Sequence, residues 1–115
     1  MAQVLDIPVI ATQHVAKNFG PVDEKITEGI NYAGRKTFDK TLFSMLTEEV
    51  EPYLKSLNRN QVVLYGCEAH VCMRQTCYDL LDKNYSVHLV VDATTSMSHH
   101  DRNVGIQAMR DIFDG

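Results

Sequence analysis

The residues best suited to chemistry concentrate in the run Gly66-Cys67-Glu68-Ala69-His70-Val71-Cys72. It follows an apolar, β-branched stretch, Val62-Val63-Leu64-Tyr65. It precedes a helical stripe formed by Met73, Cys77, Leu80 and Leu81. A cysteine in the first turn of a helix, at the carboxyl end of a strand, meets the positive end of the macrodipole and exposed backbone N–H groups. Both favour thiolate over thiol, and the thiolate is the nucleophile. In open α/β sheets, ligands also gather outside the carboxyl ends of the strands. Cys72 is therefore the candidate catalytic residue.

The other two cysteines fit quieter roles. In a small protein a cysteine is more often a buried hydrophobe than a nucleophile. Cys77 lies on the apolar stripe and fits that role, and Cys67 reads as structural at the strand end. Cys67, His70, Cys72 and Cys77 match no zinc spacing. On one helix Cys72 and Cys77 would also point in different directions.

Further elements must position this run. Val87-His88-Leu89-Val90-Val91 and the shorter Pro8-Val9-Ile10-Ala11-Thr12 read as strands covered on both faces, as in a parallel sheet. Leu46, Val50, Tyr53, Leu54 and Leu57 form a helical stripe; Pro52 sits awkwardly in it unless the helix starts near Glu51. Val104, Ala108 and Ile112 form a third stripe, after a cap at Ser98 or Asp101. Lys17 to Lys36 has no clean period and reads as a loop. The alternation predicts an α/β layered fold with a parallel sheet and right-handed crossovers.

Length and composition bound the rest. A chain of 115 residues, 44% apolar and 23% charged, suits one soluble globular domain over residues 1–115. The net charge of -4, with 11 Lys and Arg scattered among 15 acids, argues against a nucleic-acid partner. No apolar run approaches the length of a membrane span. The start shows no secretory signal, so the three cysteines read as reduced thiols in a cytoplasmic setting.

The run Gly66 to Cys72, followed by Thr76 and Asp79-Leu80-Leu81-Asp82, resembles the nucleophile motif of isochorismatase-like cysteine hydrolases. It is most similar to eukaryotic isochorismatase domain-containing proteins. The resemblance continues through Val87 to Ala93 and then Ser96, Ser98, Asp101 and Arg102. Upstream it takes in Lys40-Thr41-Leu42-Phe43-Ser44-Met45 and Pro8-Val9 through His14. It implies a Rossmann-like three-layer α/β/α fold with a mostly parallel sheet. It also implies hydrolysis of a small molecule, at an amide-type or related bond, through an Asp-Lys-Cys triad. By this resemblance Cys72 is the nucleophile of a covalent intermediate, and Lys40 stabilises its thiolate. Lys36 is the nearby rival. A cis peptide is expected between Cys67 and Glu68, aiming the N–H groups of Glu68 and Cys72 at an oxyanion. The Glu68 side chain is left open, to line a pocket or to face solvent. The Asp-x-His metal motif of nicotinamidases is not visible, so no metal and no cofactor are expected. A homo-oligomer acting on a small-molecule substrate is implied.

The chain departs from the family at its ends. The first strand, with its catalytic aspartate, would precede Met1, and the last strand and helix would be incomplete at Gly115. Asp6, Asp39 and Asp92 match no motif for the missing acid, and the spacing of His14, His99 and His100 assigns them no role. Two other functions stay open: a catalytically impaired interaction module, and a redox-sensing thiol protein resting on Cys67, Cys72 and Cys77.

Overall fold

A computed structural model describes residues 4–23, 25 and 35–114. The chain divides into two compact units, residues 1–42 and 43–115.

In the first unit, strand β1 (Val9–His14) pairs in parallel with β2 (Arg35–Lys40), from Val9 opposite Arg35 to His14 opposite Lys40. Between them lies a one-turn helix, α1 (Ala16–Phe19), and residue 25 is also helical. The strand at Pro8–Thr12 is therefore present, extended to His14. The loop expected over Lys17–Lys36 is corrected at both ends, by α1 and by β2, and residues 26–34 fall outside the described residues. The sequence hides β2 because Arg-Lys-Thr-Phe-Asp-Lys offers one large apolar side chain among charges. Its strand character comes from backbone pairing with β1, a non-local cause.

The second unit begins with α2 (Val50–Ser56), which buries Val50 and Leu54. The Thr47 hydroxyl accepts from the Val50 N–H at 3.2 Å. Pro52 is the third residue of this helix. It therefore lies in the first turn, where proline is tolerated. Glu51 pairs with Lys83 at 3.3 Å and Lys55 at 3.5 Å. The Lys83 ammonium, more than Lys55, holds its carboxyl below the usual range.

Strand β3 (Gln61–Cys67) pairs in parallel with β4 (Ser86–Thr95). Leu64 lies opposite Leu89, but Gly66 lies opposite Thr94, so β4 carries extra residues between the two pairs. Arg102 bridges this irregularity: its Nε donates to Thr94 O and its Nη2 to Val91 O, both at 2.9 Å. A π-helical turn, Ala69–Met73, runs directly into α3 (Arg74–Asp82). Helix α3 closes with Asn84 at φ 69°, where the Asn84 N–H donates to Leu81 O and the Tyr85 N–H to Leu80 O. Helix α4 (His99–Asp114) completes the unit.

The core of this unit joins Leu64, Met73, Cys77 and Met109, with Met45, Leu81, Val87 and Leu89 packed around it. Met73, Cys77 and Leu80 are buried, as the stripe predicts. The stripe on α4 is corrected. Val104 and Ile112 are exposed, whereas Ile106 and Met109 are buried. The reason is Gly105, whose position leaves the α4 backbone in direct contact with the turn before α3. A Cβ there would lie 2.5 Å from Ala69 C and His70 N. That approach fixes the rotation of α4 about its axis and turns Ile106 and Met109 inward.

These α/β elements with parallel strand pairs are the predicted fold class. Among the described residues no helix is long and apolar enough to cross a membrane.

Candidate active site

The turn that carries Cys72 is built by local backbone demands. Gly66 has φ 135°, a region that L side chains rarely adopt, so glycine is needed where β3 ends. The next peptide, Cys67–Glu68, is cis. Glu68 is extended (φ -86°, ψ 136°), and the chain then winds into the π-helical turn. Glu68 O accepts from the N–H groups of Val71 (3.2 Å) and Met73 (3.0 Å), the second being the wide-turn bond. Such turns often mark functional sites.

Cys72 lies in this turn, half-buried, near the amino end of the continuous helical stretch from Ala69 to Asp82. The Thr76 hydroxyl donates to Cys72 O at 2.7 Å and accepts from Met45 N at 2.9 Å. Thr76 is itself buried, so one hydroxyl ties the segment before α2 to the turn of Cys72. Cys77 is fully buried, and burial pushes its thiol from 9.0 up to about 11. Cys67 is exposed.

The segment between β4 and α4 borders the turn. Ser96 Oγ accepts from Ala69 N at 3.0 Å and lies 3.2 Å from His70 Nδ1. His70 Nε2 is 4.0 Å from Asp101 Oδ2. The Glu68 carboxylate accepts from Met97 N at 3.0 Å. The sequence leaves Glu68 between pocket and solvent; its carboxylate engages this loop. Ser98 caps α4, its Oγ accepting from Asp101 N at 3.1 Å. An open concavity of about 560 Å³ lies in the same loop, with Asp92, Thr94, Ser96, Ser98, His99 and Arg102 among its lining residues. Cys72 is not among them.

Lys40 belongs to the first unit. It ends β2 and is buried, at 6% exposure. Its Nζ donates to Leu42 O at 2.9 Å and lies 3.1 Å from His14 Nδ1. Neutral imidazole can accept that bond, so a charged Lys40 favours the His14 tautomer with Nδ1 unprotonated. The ring of His14 also faces Phe19, with centroids 6.0 Å apart. The Asp39 carboxylate accepts from Ala16 N at 2.9 Å and so serves as a cap. Lys36 is exposed.

Sequence reasoning thus finds Cys67, Glu68 and Cys72 in one turn. It misses the His14–Lys40 contact, the Glu68–Met97 bond and the role of Gly105. Ser96 is noted only through the resemblance, and the partner of its hydroxyl carries no sequence signal. Among the described residues, no three His, Cys, Asp or Glu side chains could hold a metal ion.

A model of the isochorismatase domain matches residues 1–114. The chain is 42% identical over 110 residues to isochorismatase domain-containing protein 2 of Danio rerio, covering 94% of this chain and 53% of that protein. It is 40% identical over 112 residues to the secreted isochorismatase effector Isc1 of Phytophthora sojae, covering 95% and 53%. The chain thus spans about half the length of these curated relatives. Among solved structures, the MAR1 ribonuclease of Caenorhabditis elegans superposes with a TM-score of 0.89 at 42% identity, over 96% of this chain and 56% of that one. A pyrazinamidase/nicotinamidase of Streptococcus mutans, at 14% identity, shares the fold with a TM-score of 0.79 over 99% and 77%. A domain match over nearly every residue, joined by relatives above 40% identity in structure and sequence, means that this chain belongs to the isochorismatase family.

Proposed function

We propose that the chain carries the nucleophile half of a cysteine hydrolase acting on an amide-type or related bond of a small molecule. The Cys72 thiolate attacks the carbonyl carbon, the C–N bond breaks as the leaving amine takes a proton from solvent, and water then hydrolyses the thioester to a carboxylic acid and the free thiol. Lys40 stabilises the thiolate, and the N–H groups of Glu68 and Cys72 receive the oxyanion. The reading takes residues 1–115 as one partial domain, without metal or cofactor, in a cytoplasmic homo-oligomer. The observation that carries it is the placement of Cys72. Cys72 is half-buried near a helical amino terminus, in the turn that follows β3, while Cys77 is sealed in the core.

Iodoacetamide at pH 6 tests the thiol. Cys72 should be alkylated before Cys67 and Cys77; equal or reversed labelling would sink the reading. A panel of small amides tests turnover, which Cys72→Ala should abolish. The ribonuclease name of the C. elegans structure defines another outcome. RNA cleavage lost in Cys72→Ala would replace the small molecule, although the net charge of -4 argues against it.

A second reading, an interaction module without turnover, has its own support. On β3, Val63 and Tyr65 are 60% and 50% exposed, which leaves apolar surface for a partner. A chain alkylated first at Cys72 yet inert toward the whole panel would favour it.

A further inference from the structure

Glu68 occupies the position of a helix cap but makes no capping bond to its own helix. Local capping would need only a Ser, Thr, Asp or Asn at that position. Here the first N–H of the turn, that of Ala69, is instead satisfied from a distant element, by Ser96 Oγ at 3.0 Å. The Glu68 carboxylate in turn accepts from Met97 N at 3.0 Å, next in sequence to that serine. The two bonds run in opposite directions between the same two segments. One goes from turn backbone to loop side chain, the other from loop backbone to turn side chain. Ser96 Oγ, with one lone pair facing Ala69 N–H, also lies 3.2 Å from His70 Nδ1, to which it can donate its proton. On the remaining side Gly105 brings the α4 backbone against Ala69 and His70 with no room for a methyl group.

We propose that the Glu68 carboxylate and the Ser96 hydroxyl are positioning groups, a reciprocal clamp that holds the Glu68–Cys72 turn in register for oxyanion stabilisation. This rests on the reading of Cys72 as an acylated nucleophile and adds two side chains to it. The clamp acts on the turn's backbone. A bond to a carboxylate is stronger than a neutral one, and small displacements of oxyanion donors are costly in rate. Losing one such donor outright costs about 10²–10³-fold, so loosening the turn should cost less.

The test compares two reactions of the same thiol in the 115-residue chain. Acetylation of Cys72 by p-nitrophenyl acetate passes through an oxyanion; alkylation by iodoacetamide does not. Glu68→Ala should slow acetylation about 10–100-fold while alkylation stays within about twofold. Glu68→Gln should recover most of the loss, because its amide oxygen can accept the same N–H. Ser96→Ala should slow acetylation about tenfold, again sparing alkylation. Hydrogen exchange at Leu80 and Met109 verifies folding, and should Glu68→Ala unfold, Ser96→Ala and Glu68→Gln carry the comparison. Wild-type acetylation rates in Glu68→Ala and Ser96→Ala would overturn the clamp and leave the nucleophile reading intact. Equal losses in both reactions would overturn it too, since the defect would then lie in the thiol. Glu68→Gln as slow as Glu68→Ala would overturn the positioning role, because charge and not the shared N–H bond would then matter. A folded wild-type chain that is not acetylated at Cys72 would remove the nucleophile reading and the clamp with it.

Discussion

The two parallel strand pairs hold their candidate residues by different physics. The β3–β4 pair presents Cys72 from a packed scaffold. Leu64, Met73, Cys77 and Met109 form the core beneath it, and Gly105 presses α4 directly on the turn. The β1–β2 pair presents Lys40 through hydrogen bonds. His14, Leu42 O and the Asp39 cap on Ala16 surround the end of its strands, and none of the buried hydrophobic residues falls within its described positions. A thiol whose reactivity depends on backbone dipoles needs a rigid backbone, which close packing supplies. An ammonium needs oriented acceptors, because a buried charge without them costs several kcal/mol.

The contrast can be broken by truncating each scaffold. Met109→Ala should have the largest effect, a loss of about 3 kcal/mol in urea unfolding, because a fully buried side chain leaves a cavity. A loss below about 1 kcal/mol would mean that the core does not depend on it. Gly105→Ala should cost about 2 kcal/mol by overpacking. Because its methyl group would strike Ala69 and His70, Cys72 acetylation should fall as well. Normal acetylation in a destabilised Gly105→Ala would separate packing from site geometry.

The sealed Cys77 thiol makes the packed scaffold sensitive to alkaline pH. The Cys77 pKa is raised in the folded state to about 11, from 9.0. Folding therefore retains a proton that the unfolded chain releases. The stabilising difference is fully present below pH 9.0 and is lost as pH rises toward about 11. Unfolding free energy should decline across that window, and Cys77→Ala should flatten the decline. An equally steep decline in Cys77→Ala would assign it to other groups. The smallest effect is expected from His14→Ala, about 1.5 kcal/mol, the lower end for one hydrogen bond to a charged group, since Leu42 O still accepts from Lys40. Its signature would be local. Amide exchange should rise over β1 and β2 and stay constant over α3; protection lost throughout would contradict the contrast.

Much of the second scaffold is legible because its causes are local. Met73, Cys77 and Leu80 fall on one helical stripe, Ser98 caps α4, and Gly66 stands where a positive φ is needed. In α4 the same reasoning picks the wrong face. Val104, Ile106, Ala108, Met109 and Ile112 offer apolar side chains over a wide arc, and periodicity cannot choose among them. Strand β2 escapes for the opposite reason, since its charged side chains give no apolar pattern to read.

The family resemblance, the order of most elements and the run that carries Cys72 are legible in the chain, because motif and helical spacing are recorded residue by residue. Tertiary contacts alone settle which face of α4 is buried, that β2 is a strand, that Lys40 meets His14, and that Glu68 accepts from Met97 while Ser96 accepts from Ala69. Those outcomes depend on contacts between residues far apart in the chain, such as Glu68 with Met97 and Gly105 with Ala69. Such contacts arise from backbone approach and packing, which leave no period in the sequence.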